Sequence, residues 1–153
     1  MNYEELTTAA YDLGLTVKEK NLRSADGRIY RKRIAIRKDI STSTEKACVL
    51  AEELGHFQTS TGNILGQSSV ADEKQEQRAR LWAYNKMIGL HGIISAYKYG
   101  CSSLHEMAAY LDITEEFLQE ALQRYRSKYG CCTTIDNYVI YFEPYLGILE
   151  ITS

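Results

Sequence analysis

The chain has 153 residues, 44% of them hydrophobic and 25% charged, with a formal net charge of −2. That length suits one domain or a domain with a small appendage, and the proportions are those of an ordinary globular protein. The near-neutral balance excludes a bulk electrostatic pull toward nucleic acid or anionic membrane, and no apolar run reaches the roughly 20 residues that span a bilayer.

The opening stretch, MNYEELTTAAYDLG, is acidic and amphipathic. It lacks the basic start and apolar centre of a signal peptide, so a cytoplasmic location is expected. It predicts a first helix over residues 3–13, with Asn2 as cap, Glu5 completing a capping box and Gly14 as stop. Two extended runs follow. LTVKEK alternates apolar with charged residues, and RIYRKRIAIRKD sets Ile34 and Ile36 two apart on one strand face. The turn signal SADG, residues 24–27, separates the runs. The basic residues Arg28, Arg31, Lys32, Arg33, Arg37 and Lys38 read as solvated strand and turn positions; docking against an acidic partner is the sharper alternative.

Thr42 and Glu45 form a T-x-x-E capping box, which predicts a helix over residues 43–57. TSTGNILGQSSV reads as a flexible connection. A long helix is expected over about 72–90, with Ala79, Trp82, Ala83 and Met87 at helical spacing, and a shorter one around 93–99. The single proline, Pro144, leaves these helices unobstructed. Two more helices follow with a break at 112–114. Ser103 and Glu106 cap the first, Thr114 caps the second, and Gly130 ends it. NYVIYF and GILEI close the chain as a β-hairpin. The four cysteines include no C-x-x-C pair, so free thiols are expected rather than a zinc knuckle or redox motif. The expected class is α+β. A mostly helical body with a small N-terminal sheet covers residues 1–100, and a C-terminal helix pair with a hairpin covers 101–153.

The chemistry concentrates in CVLAEELGHFQTSTGN, residues 48–63. At 100° per residue, Glu52 and His56 project from nearly one side, one turn apart, where a carboxylate and an imidazole can close on one ion. Glu53, rotated by one residue, can point at an open coordination position without binding the ion. That is the logic of HExxH, with the intervening glutamate as general base. Gly55 lets another backbone approach, and Leu50, Leu54 and Phe57 supply the opposite, buried stripe. The bland alternative is a solvated polar face, because Glu52 stands where the first histidine of HExxH would be. A catalytic zinc also needs a third protein ligand, which composition does not choose. The other histidines, His91 and His105, lie in no tight motif.

LAEELGH, followed about twenty residues later by EQRARLWAYN, resembles the ImmA/IrrE family of bacterial and phage metallopeptidases. Members of that family show H-E-L-G-H and then E-x-x-A-x-x-F/W-A, here Glu76, Ala79, Trp82 and Ala83. The resemblance extends back to RIAIRKD and forward to EMAAYLDITEEFL and NYVIYFEPYLGI. It implies a zincin-like fold with His56 and Glu76 as metal ligands, Glu53 as catalytic base, and Glu52 replacing the first histidine ligand. Zinc is the implied metal. A Glu-His-Glu set is harder and more anionic than His-His-Glu, so manganese also becomes possible.

The expected function is the endopeptidase, with two rivals. The resemblance implies a metal-dependent endopeptidase (hydrolase) that cleaves a helix-turn-helix repressor of a prophage or mobile element, and so acts as an anti-repressor. A member with a dead site would bind the same repressor without cutting it. Direct DNA binding by the C-terminal helix pair and hairpin is the third. Glu115, Glu116 and Glu120 open the helix that would face phosphates, so no nucleic-acid contact is expected there.

Overall fold

The computed structural model describes residues 1–60 and 69–152. The chain divides into two compact units, Met1–Met87 and Ile88–Ser153. Helices predominate, with two small sheets, and the class is α+β.

In the first unit, α1 (Tyr3–Asp12) begins where Asn2 predicts. The Glu5 backbone N–H donates to Asn2 Oδ1 at 2.8 Å, and the Asn2 N–H donates to Glu5 Oε2 at 3.1 Å, so two end donors are satisfied reciprocally. Gly14 follows with φ 82°, a conformation that costs other residues more. β1 (Thr16–Lys20) comes next. The basic run expected as one extended segment folds back on itself as β2 (Gly27–Tyr30) and β3 (Arg33–Arg37). Tyr30 pairs with Arg33 across a two-residue turn in which Arg31 has φ 55°. No glycine, asparagine or aspartate marks that turn, so its usual signal is missing. The sheet order is β1-β3-β2, with β1 parallel to β3 and β2 antiparallel at the edge.

Helix α2 (Ser43–Thr59) starts at its expected cap: the Glu45 N–H donates to Thr42 Oγ1 at 3.1 Å. It packs against α1, against β2 and β3, and against α3 (Ser69–Met87). The connection expected between these helices falls mostly on 61–68, outside the described residues. Leu6, Leu15, Ile34, Ile36, Leu50 and Leu54 are buried together in this unit. Each full burial of such a side chain contributes about 1.5–3 kcal/mol.

The long helix expected to run to residue 90 ends at Met87. Ile88 leaves helical geometry, and α4 (Gly89–Tyr99) begins at a glycine with φ 64°. In this second unit, α5 (Leu104–Leu111) and α6 (Glu115–Tyr129) have the caps read from sequence: Glu106 N–H donates to Ser103 Oγ at 3.1 Å, and Phe117 N–H to Thr114 Oγ1 at 3.0 Å. The closing hairpin, β5 (Tyr138–Tyr141) and β6 (Gly147–Glu150), gains a further strand, β4 (Cys132–Ile135), in the order β4-β5-β6. The β-branched run Thr133-Thr134-Ile135 before Asp136, whose φ is 53°, is the signal for β4 that the cysteines obscured. All four cysteines are free thiols. Among the described residues, no helix is long and apolar enough to cross a membrane.

The tightest packing joins α2 to α3. A Cβ built on Gly55 would stand 2.2 Å from the Ala79 carbonyl oxygen. Alanine favours a helix interior over glycine by about 1 kcal/mol. Gly55→Ala should nevertheless destabilise the protein by about 1–3 kcal/mol, because backbone rather than a flexible side chain must move. A lowered urea midpoint with an unchanged slope would show this; an unchanged or raised midpoint would refute the close approach.

Candidate metal centre

The polar residues of α2 lie on either side of Gly55. Ala79 meets Gly55, and Glu76 lies one turn earlier on the same face of α3, so the helix contact carries Glu76 to His56. His56 Nε2 stands 3.0 Å from Glu76 Oε2, at hydrogen-bonding distance. The other oxygen, Glu76 Oε1, lies 3.3 Å from Arg80 Nε. Glu76 is thus shared between an imidazole and a guanidinium. All three side chains are partly exposed, so each pair contributes on the order of 1 kcal/mol or less.

Glu53 takes a different position. Gly27, the first residue of β2, passes directly over it: a Cβ there would be 3.0 Å from both Glu53 Cγ and Oε1, and 2.7 Å from Val49 Cγ1. The strand shields the carboxyl from water. Burial first, then the charges of Glu52 and Glu76, push the Glu53 pKa from its ordinary 4.5 up to about 7. Glu53 and His56 line a cleft of about 550 Å³ together with Gly27, Arg28, Arg31 and Phe57. Phe57 is therefore half-buried on the cleft wall, not part of the buried stripe expected for it.

Of the four residues picked out from sequence, the structure brings His56 and Glu76 into direct contact. Glu52 and Glu53 lie close enough to influence each other's charge. Among the described residues, no three His, Cys, Asp or Glu side chains are gathered to hold a metal ion. His56 Nε2 and Glu76 Oε2 stand about as far apart as two ligands that reach one small ion from different sides, so their contact is compatible with a shared metal. A catalytic zinc needs a third protein ligand, and Glu52 is the residue the motif offers for it. His91 and His105 belong to the second unit. Gly27, Arg28 and Arg31 were not legible as cleft residues. Their signal was the SADG turn that starts β2, but only the folding of β2 onto α2 gives it meaning.

A helix with E-E-x-x-H, facing a second helix that supplies a glutamate, defines a metallopeptidase-like protein. Residues 9–123 match the family model Peptidase M78, described as an IrrE N-terminal-like domain. The match covers more than half of the chain, and the chain belongs to this family. No curated protein and no solved structure gave a match.

Two outcomes are expected at this centre. With its pKa raised, Glu53 keeps a proton in the folded state between about 4.5 and 7 that the unfolded chain has lost. Its stability contribution is full below about 4.5 and is lost as pH rises through about 7. In chelator, Glu53→Gln should flatten the pH dependence of stability over that window, by on the order of 2 kcal/mol after discounting for solvent access. Superimposable wild-type and mutant profiles from denaturant titrations at several pH values would show that Glu53 is not sheltered. Separately, Glu52→His completes HExxH and should tighten zinc binding roughly tenfold or more, read by competition with a chromophoric chelator. Unchanged affinity would mean that position 52 does not face the ion.

Proposed function

We propose that this protein is a cytoplasmic regulator that binds a helix-turn-helix repressor through the cleft beside α2 and holds it, relieving repression without cutting. The observation that carries this reading is glutamate at position 52, where the first histidine ligand would stand. A second carboxylate makes the donor set more anionic and weakens the acidification of a metal-bound water on which cleavage would depend. Family membership supports the choice of partner, since it is the resemblance that implies a repressor encoded nearby.

Endopeptidase activity is the second reading, and Glu53 favours it. A half-buried carboxyl with a pKa of about 7, on the wall of a cleft, can take up and return a proton near neutral pH. Zinc, with manganese as the substitute that oxygen ligands would tolerate, belongs to this reading.

The two are separated by a reporter under the repressor's operator, with the repressor followed by immunoblot. Under the binding reading, wild type and Glu53→Gln relieve repression equally and the repressor stays full-length. Phe57→Ala, which strips apolar surface from the cleft wall, should weaken relief. Repressor fragments with wild type, absent with Glu53→Gln, would establish cleavage and displace the binding reading; loss of a general base costs typically ~10²–10⁴ in rate. Failure of wild type to bind the repressor at all would remove the partner from both.

A further inference from the structure

We propose that the cleft selects an acidic, extended segment of its protein partner, with Arg28 and Arg31 as the residues that read its carboxylates. This rests on the reading that the cleft is the partner's recognition site, and it adds what the partner must present there.

The first observation is the charge on the cleft wall. Arg37 is paired with Asp26 at 2.6 Å and Asp39 at 2.8 Å, and Lys46 with Glu19 at 2.7 Å, while other cations of the unit, Lys32 and Arg33 among them, are exposed and lie outside the cleft lining. Arg28 and Arg31 line the cleft, and among the described residues neither has a carboxylate partner. Arg28 reaches only Ser24 Oγ, at 3.4 Å, and Arg31 lies over the Tyr30 ring at 5.3 Å from its centroid. A guanidinium offers five donors in a fork that fits a carboxylate with two parallel hydrogen bonds.

The backbone at Arg31 is the second observation. It sits in a two-residue turn with φ 55°, where glycine, asparagine or aspartate is the unstrained choice. The corresponding turn between β4 and β5 has Asp136 at φ 53°. An ordinary side chain in this conformation costs about 1 kcal/mol or more. An arginine stands at that cost on the rim of the cleft, where its side chain is exposed.

The third observation is spacing. β2 is the edge of its sheet, so an extended segment can lie alongside it. Gly27 marks the Glu53 end. At about 3.3 Å per residue, Tyr30 lies roughly 10 Å further along, and Arg31 lies beyond it. An acidic side chain near Arg31 is therefore about a Debye length from Glu53 at ~0.1 M salt and only weakly repelled by it, whereas Arg28, next to Gly27, lies at the Glu53 end, where its own charge offsets that of Glu53.

The test uses the full chain and a short fluorescein-labelled peptide alternating valine with glutamate, beside its counterpart with glutamine, read by fluorescence anisotropy. Wild type should prefer the glutamate peptide roughly tenfold at low salt, as expected for two exposed pairs, and less as salt rises. Arg28→Glu/Arg31→Glu should abolish the preference, whereas Lys86→Glu, a charge change on α3, should keep it. Arg31→Gly should reduce the preference while leaving the thermal midpoint unchanged or higher, which separates side-chain loss from misfolding. Equal affinity for the two peptides would overturn the proposal. So would a preference that survives the double reversal, or a single-stranded oligonucleotide that displaces the glutamate peptide at equal concentration. Neither repressor nor metal is present, so failure here leaves the repressor reading standing, and a failed repressor assay leaves the peptide preference standing.

Discussion

The rest of the first unit depends on the approach of α2 to α3 at Gly55. A glycine inside a 17-residue helix is unfavourable by itself, because it surrenders backbone entropy that alanine would not. Here it removes the one Cβ that would hold the two helices apart, and the Ala79 carbonyl fills the space. Everything polar nearby inherits that geometry. His56 is the next residue on α2, Glu76 is one turn before Ala79 on α3, and their side chains meet because the backbones do. Leu50 and Leu54 on α2 and Ala83 on α3 are buried in the same unit.

Three glutamates and one histidine in so small a volume would repel without some division of labour. Glu76 is held from two directions, by contact with His56 and by the charge of Arg80. Glu53 has no such partner among the described residues and is instead sheltered by Gly27, so it holds its proton to higher pH. The same strand that shelters Glu53 sets Arg28 beside that end and carries Arg31 away, to the turn. The cleft therefore has a carboxyl capped by backbone at one end and an exposed arginine at the other. That polarity arises from one edge strand lying across one helix.

The match to the family stops at residue 123, within α6, so the centre lies wholly in the shared part while the second sheet lies beyond it. The departure at Glu52 therefore sits in the middle of an otherwise recognisable region. A single exchange of imidazole for carboxylate leaves helix, cap and packing intact, because position 52 is only half-buried. It alters the side chain offered at that position without altering the fold.

Local interactions were legible in the sequence. The caps at Asn2, Thr42, Ser103 and Thr114 join residues three apart, so each helix start depends on a few neighbours and nothing else. The E-E-x-x-H spacing was legible for the same reason, since one helical turn fixes it. Where the local signal was absent or masked, the reading failed: Arg31 turns the chain without a turn residue, and β4 hid behind two cysteines. Other features had no local signal at all. The parallel pairing of β1 with β3, the passage of Gly27 over Glu53, and the bond between His56 and Glu76 each join residues that only packing brings together. Sequence by itself determined which side chains each element would offer. The tertiary structure decided which of them meet, because shielding from water and contact between donors are set by the distances between elements, and those distances follow from how the core closes.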